Sequence, residues 1–437
     1  MKGDNWRFIL GSFVTWRLFL FGVVFLAAGL FPFQKDFLGG GLSNYLKNPY
    51  FWSWLNFDGE HYAAIAHQGY QPLTYFFFPL FPLVTRIAAS LINPEYITIA
   101  FTGLLISNLS FLVGLIGLWK LIRLDYNSIQ ENLAPEGGDE LNADMSSSLG
   151  KPRLLRRGGR HKENIAKMTL LLLILFPTSF YFGAFYTESL TLALIVWSFY
   201  FARKRSWIFA GVLGAFATAT RITALALVPA IAVEYFYKKS PFTNHPARRS
   251  YASSVAGGYS LITAVNLKKI VSLLLIPLGL AAYMYYLYRI TGDPLEFVHN
   301  VSIFGQQRSS TLILLPQVFY RYFFKVLPSL NYNYFPIVFT TYLEIASAII
   351  FGILGVWSFF KLRLGYSLFL AAGYLIPPLS GSFSSFPRYV LILFPAYILM
   401  ALWLNKKSKL VKGLVYLTLL FLAAISLALF SRGYWVS

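Results

Sequence analysis

The densest polar group within residues 31–96 is Asn56-Phe57-Asp58-Gly59-Glu60-His61-Tyr62, set in a sequence of which only 12% of residues are charged. A carboxylate partly shielded from water has a raised proton affinity and can take a proton from a hydroxyl, which makes Asp58 a candidate general base. His61 follows it by three residues, and on a helix those positions share a face. The imidazole is therefore placed to orient Asp58 or to contact a substrate hydroxyl. Glu60 and Tyr62, on either side of His61, are candidate substrate contacts. A plainer reading stands beside this one: DGEHYAAIA opens like a helix, and Asp58 is a good N-cap.

A base needs a partner that stabilises the charge developing on a leaving group. Arginine forks onto phosphate oxygens in pairs, and three arginines are candidates: Arg221 in ATRIT, Arg388 after SSFP and Arg308 in FGQQRSS. Holding such a cation near the centre of a membrane helix costs about 2.5–3.5 kcal/mol, so a partner is expected. The alternative is snorkelling to water or to ordinary lipid phosphates. Glu188 opens a span after the aromatic stretch Tyr181–Tyr186; it can contact a sugar, pair with an arginine, or simply favour the helix N-terminus. Arg17, inside the first apolar run, reads as structural, Asp293 in TGDP as a turn former and His67 as a packing residue. There is no cysteine and no HExxH, and Asp58, Glu60 and His61 lack a diagnostic ligand spacing, so no metal and no bound cofactor are expected.

The elements that must position these groups are helices in a membrane. With 57% hydrophobic residues, the chain cannot hide its apolar surface from water, which excludes a soluble enzyme. Apolar runs of about 17–25 residues without period-2 alternation exclude an outer-membrane barrel. Eleven spans are predicted, at 8–30, 97–119, 168–183, 188–202, 207–219, 222–237, 270–289, 336–360, 364–380, 389–404 and 410–430. The first is read as a retained signal-anchor. The run 207–237 is interrupted by Arg221 and is expected to be two short or broken helices.

Segment Phe76–Ile92 carries two prolines and Arg86, and whether it crosses sets the topology. If it does not cross, 26 of the 37 Lys and Arg fall on the cytoplasmic side, which the positive-inside rule favours. Residues 31–96 then form one long external segment, with Phe51, Trp52, Trp54 and Phe57 expected at headgroup level. Eight acids, Asp36, Asp58, Glu60, Glu95, Glu188, Asp293, Glu296 and Glu344, fall outside or near the outer face, Glu344 at a depth the sequence leaves open.

The same topology divides the chain into 1–124 (first span, external loop, second span), a flexible cytoplasmic insert at 125–165, a short-helix region at 166–237, a second insert at 238–268, and a C-terminal membrane region at 269–437 with external loops 290–335 and 381–388. The net charge of +20 is explained by cytoplasmic loops, so no nucleic-acid partner is expected. Neither GxxxxGKS nor GxGxxG occurs, which leaves a directly nucleotide-driven enzyme unsupported.

The stretch NFDGEHYAAIAHQGYQ followed by FFFPLFPLVTRIA resembles the external-loop signature of the PIG-V-type GPI mannosyltransferases and their bacterial relatives, W-D-x-x-H-Y-x-x-I-A-x-x-G-Y followed by F-P-L-x-P. FPTSFYFGAFYTESL (Phe176–Leu190), ATRITALALVPA (Ala219–Ala230), TGDPLEFVHN (Thr291–Asn300) and FPRYVLILFPAY (Phe386–Tyr397) are similar in kind and order. Phe57 departs from the family, which has Trp before the Asp.

The resemblance implies an all-α, polytopic, GT-C-like fold of about eleven transmembrane helices with a long first external loop. It also implies an inverting glycosyltransferase that takes a hexose, typically mannose, from a polyprenyl-phosphate donor and passes it to a lipid or glycolipid hydroxyl. Asp58 is then the base, His61 its assistant, and Arg221, Arg388 and Arg308 the phosphate holders. The partners are membrane lipids, the lipid-linked donor and the acceptor. The site faces outside, at the plasma membrane of a prokaryote or in the endoplasmic reticulum lumen of a eukaryote. The competing expectation is a transporter or flippase of lipid-linked sugars, which would place charges along a midplane path and usually carry inverted repeats.

Overall fold

The computed structural model describes residues 3–131, 151–236, 267–300 and 308–436. In chain order its principal helices are α1 (Gly3–Leu30), α2 (Asp58–Gln68), α3 (Leu80–Ser90), α4 (Tyr96–Glu131), α5 (Lys151–Ile174), α6 (Glu188–Arg203), α7 (Trp207–Thr218), α8 (Leu227–Phe236), α9 (Leu267–Leu275), α10 (Leu278–Thr291), α11 (Phe335–Lys361), α12 (Leu364–Leu375), α13 (Phe386–Tyr389), α14 (Phe394–Asn405) and α15 (Lys409–Ser431). No strand occurs among the described residues.

The fold is all-helical and membrane-type. By length and composition α1, α4, α11 and α15 can each cross a bilayer. Two bent pairs, α9–α10 (46°) and the pair of α13 with α14 (82°), raise the number to six. Eleven spans were expected because every apolar run was counted. At 1.5 Å per residue, however, the 12 residues of α7 or α12 rise only about 18 Å, against about 30 Å of hydrocarbon. α3, 11 residues long, is likewise too short to cross alone, in keeping with the non-crossing assignment of Phe76–Ile92. Arg221 breaks the 207–237 run as expected: its backbone is extended (φ −160°, ψ 141°) between α7 and a short 3₁₀ turn that leads into α8. Regular helix reaches into the first insert from both sides, through α4 to Glu131 and α5 from Lys151; residues 132–150 and 237–266 lie outside the described residues.

Packing separates two charged ends. α6 runs from Glu188 to Arg203, 15 residues or about 22 Å apart. At the Arg203 end, Arg203 bridges Asp125 of α4 (2.7 Å) and Glu234 of α8 (2.8 Å), and Arg363 reaches the same two acids. Tyr366 donates to Asp125 Oδ2 at 2.5 Å. Its acids, Asp125 and Glu234, are not among the eight assigned to the outer face. The Glu188 end carries the groups assigned to the outer side. There residues 31–57 are tied to the end of α15: Gln34 N–H donates to Arg432 O, and Tyr45 O–H to Ser431 O.

At the same end lies an aromatic core in which Phe180, Tyr181, Phe182, Phe185 and Tyr186 are all buried. Trp52, Trp54 and Phe57 belong to this core: Trp52 stacks on Tyr96, and Phe57 packs against Phe430 and Trp435. Arg17 is structural as expected. It lies over the Phe21 and Trp54 rings, 4.6 Å from each centroid, and reaches the Gly183 carbonyl.

Candidate active site

Asp58 is the first residue of α2, not its cap. Phe57 takes the N-cap position with φ +59°, and no side chain caps the helix. That overturns the capping reading of Asp58 and frees its carboxylate for another partner. A non-glycine residue at positive φ costs about 1–3 kcal/mol and persists only when its surroundings hold it. The holding residue is Asn56, which is fully buried. Its Oδ1 accepts from Gly39 N–H and its Nδ2 donates to Phe430 O, each at 2.8 Å, while Tyr186 O–H donates to its main-chain carbonyl.

The Asp58 partner comes from 330 residues away: Arg388 Nη1 donates to Asp58 Oδ2 at 2.5 Å. Arg388 sits on α13, a single turn entered through Ser385, which is also at positive φ (+64°). Its Nε lies 3.3 Å from Glu188 Oε1, the atom that also accepts from Arg221 Nη1. The result is a chain of alternating charge, Asp58–Arg388–Glu188–Arg221. Beside it Arg308 donates to the Tyr389 hydroxyl (3.1 Å) and to Ser384 O (2.8 Å). The Tyr389 ring is approached by Arg221 at 4.8 Å and by Arg308 and Arg388 at 5.7 Å.

A cavity of about 400 Å³ opens onto this chain. Asp58, Arg221, Arg308, Arg388 and Tyr389 form one part of its lining; Phe76, Phe78, Phe297, Leu312, Ile376 and Leu379 are among its apolar members. Such a cavity matches a ligand with an anionic head and an apolar tail.

The Asp58 carboxyl feels opposing influences. Burial, the largest, pushes it up; Arg388, His61 and Arg308 together outweigh burial and hold it below the ordinary carboxylate value. The raised proton affinity expected from shielding alone is therefore reversed, because the sequence did not show that Arg388 would pair with it. Burial lowers the His61 imidazole, with Asp58 pulling the other way, and raises the Glu60 carboxyl.

The structure brings Asp58, Tyr62, Arg221, Arg308 and Arg388 to one cavity. Glu60 and His61 are not among its lining residues; the His61 ring lies along Phe77, with centroids 5.1 Å apart. Glu188 is enclosed, with 1% of its side chain exposed, and is paired with two arginines. Arg221 and Arg388 are likewise buried and paired, which excludes snorkelling to lipid. Tyr389 was missed, although the adjacent Arg388 in FPRYV was the signal. Asp293 forms the expected turn, its Oδ1 accepting from Leu295 N–H. The described residues whose atoms could meet on one metal ion are Asp293, Glu296 and His299, their ligand atoms within 4.8 Å of one another on the surface.

No protein-family model and no curated protein matches the chain. Among solved structures the chain is similar to the crystal structure of the Archaeoglobus fulgidus oligosaccharyltransferase tethered with an acceptor peptide containing the NVT sequon via a disulfide bond. The identity is 12% and the TM-score 0.41, over 98% of this chain and 55% of that one, so the chain spans about half the length of that structure.

Proposed function

We propose that this chain is a membrane glycosyltransferase that moves a hexose, mannose by its family resemblance, from a polyprenyl-phosphate donor to a lipid or glycolipid hydroxyl. The observation that carries the reading is the single cavity that joins a carboxylate to three guanidinium groups and continues into an apolar lining.

In the reaction Asp58 takes the proton of the acceptor hydroxyl, and the acceptor oxygen attacks the anomeric carbon from the face opposite the phosphate. The bond from that carbon to the phosphate oxygen breaks, its electron pair leaves with polyprenyl phosphate, and the configuration inverts. Arg221, Arg308 and Arg388 hold the phosphate as its charge grows. Glu188 keeps two of these cations in place from below.

The test is mass spectrometry of the purified chain incubated with polyprenyl-phosphate mannose and a membrane lipid extract. One lipid gaining one hexose, with release of polyprenyl phosphate, is expected. An unchanged lipid pool, together with movement of intact donor across vesicles, is the result of a flippase and contradicts the reading.

A further inference from the structure

A second cavity, of about 240 Å³, lies behind the wall of the first. Its polar members are Glu344, Tyr322, Thr340, Thr341 and Ser384, and Trp435 and Tyr334 line it with 41% of each exposed. Glu344, on α11, is buried; Tyr322 O–H donates to its Oε2 at 2.9 Å and Ser385 N–H to its Oε1 at 3.3 Å.

The two cavities differ in charge. Three arginines line the first; among the described residues the second is lined by a carboxylate and by no lysine or arginine. A phosphate is drawn to the first, whose guanidinium groups match its charge. A neutral ring rich in hydroxyls suits the second: carboxyl oxygens accept hydroxyl protons, while flat aromatic faces cover the C–H face of a pyranose.

The wall between them is short. Ser384 lines the second cavity, and its carbonyl holds Arg308 of the first. Trp435 meets Phe57 edge to face at 5.1 Å, and Phe57 immediately precedes Asp58. The two cavities are thus linked through Ser384 and Arg308 and through Trp435 and Phe57, and they have no described lining residue in common.

We propose that this second cavity binds a sugar ring of the acceptor, with Glu344 reading its hydroxyls and Trp435 packing on its face. The proposal rests on the glycosyltransferase reading for the word acceptor, but its test does not require transfer. The probes are octyl glycosides of glucose, mannose and galactose, titrated calorimetrically into the full chain held in lauryldimethylamine oxide, with farnesyl phosphate as a second ligand.

At least one glycoside is expected to bind, about tenfold more weakly to Glu344→Gln and to Trp435→Ala, with farnesyl phosphate unaffected by either change. Trp435 is half-exposed, so its variant keeps the test open where Glu344→Gln fails to fold. If no glycoside binds the parent chain, or if Trp435→Ala binds as tightly as the parent, the proposal is overturned. Glycoside binding without any transfer sinks the glycosyltransferase reading and leaves the sugar site standing; transfer whose acceptor KM is unmoved by Trp435→Ala sinks the sugar site alone.

Discussion

Arg388 is divided between two carboxylates, Asp58 on the cavity and Glu188 beneath it. A buried arginine with a single acid would be lost to a phosphate only at the expense of that acid; with two, it keeps an anchor when the donor arrives. The pairing also sets the acid–base behaviour of Asp58, since the attraction of Arg388, His61 and Arg308 overcomes the upward push of burial. The carboxylate is thus ionised throughout the pH range above the ordinary carboxylate value, and the acid limb of activity lies low. In Arg388→Gln the burial stays and its main opponent goes, so Asp58 holds its proton to higher pH. The acid limb of the pH–rate profile should move toward neutrality, beyond any fall in overall rate. A limb that stays in place would mean that Arg388 does not govern Asp58.

At the scale of elements, the site depends on two chain reversals that pass through left-handed backbone at Phe57 and Ser385. Asn56 braces the first, and Asn56→Ala leaves the Gly39 N–H and the Phe430 carbonyl without that partner. The loss is expected to be on the order of 2 kcal/mol, seen as a lowered melting midpoint with slower transfer. Much of this was legible in the sequence. DGEHYAAIA marks α2, Arg221 marks the break after α7, and Asp58, Arg221, Arg308 and Arg388 were picked as one set before their distances were known.

What was not legible has physical causes. Pairing across 330 residues leaves no trace in local spacing, so the direction in which Asp58 shifts was misjudged. Aromatic clusters look alike in sequence whether they meet headgroups or a core, so the burial of Trp52 and Trp54 against other side chains was not legible. Apolar periodicity does not say whether a short helix crosses a bilayer or packs inside a bundle, so it does not decide between the eleven spans read from the sequence and the four to six that are long enough among the described residues.

Across the whole molecule, charge is gathered at the two ends of α6. The Asp125–Arg203–Glu234–Arg363 cluster ties α4, α6 and α8 to the residue preceding α12, and its acids and arginines balance. Arg203→Ala leaves two acids against one arginine, and removing one partner of a buried network typically costs about 3–5 kcal/mol. The melting midpoint should fall while the donor KM holds, because the change is a helix length away from the cavity. The opposite end carries the central claim, that the Asp58 carboxylate is the base. The most direct measurement is the transfer rate of purified Asp58→Asn beside the parent chain at neutral pH and saturating donor. Asparagine keeps the shape, leaves Arg388 on Glu188 and removes the proton acceptor. A fall of about 10²–10⁴-fold with an unchanged melting midpoint is predicted; transfer at the parental rate would contradict the account.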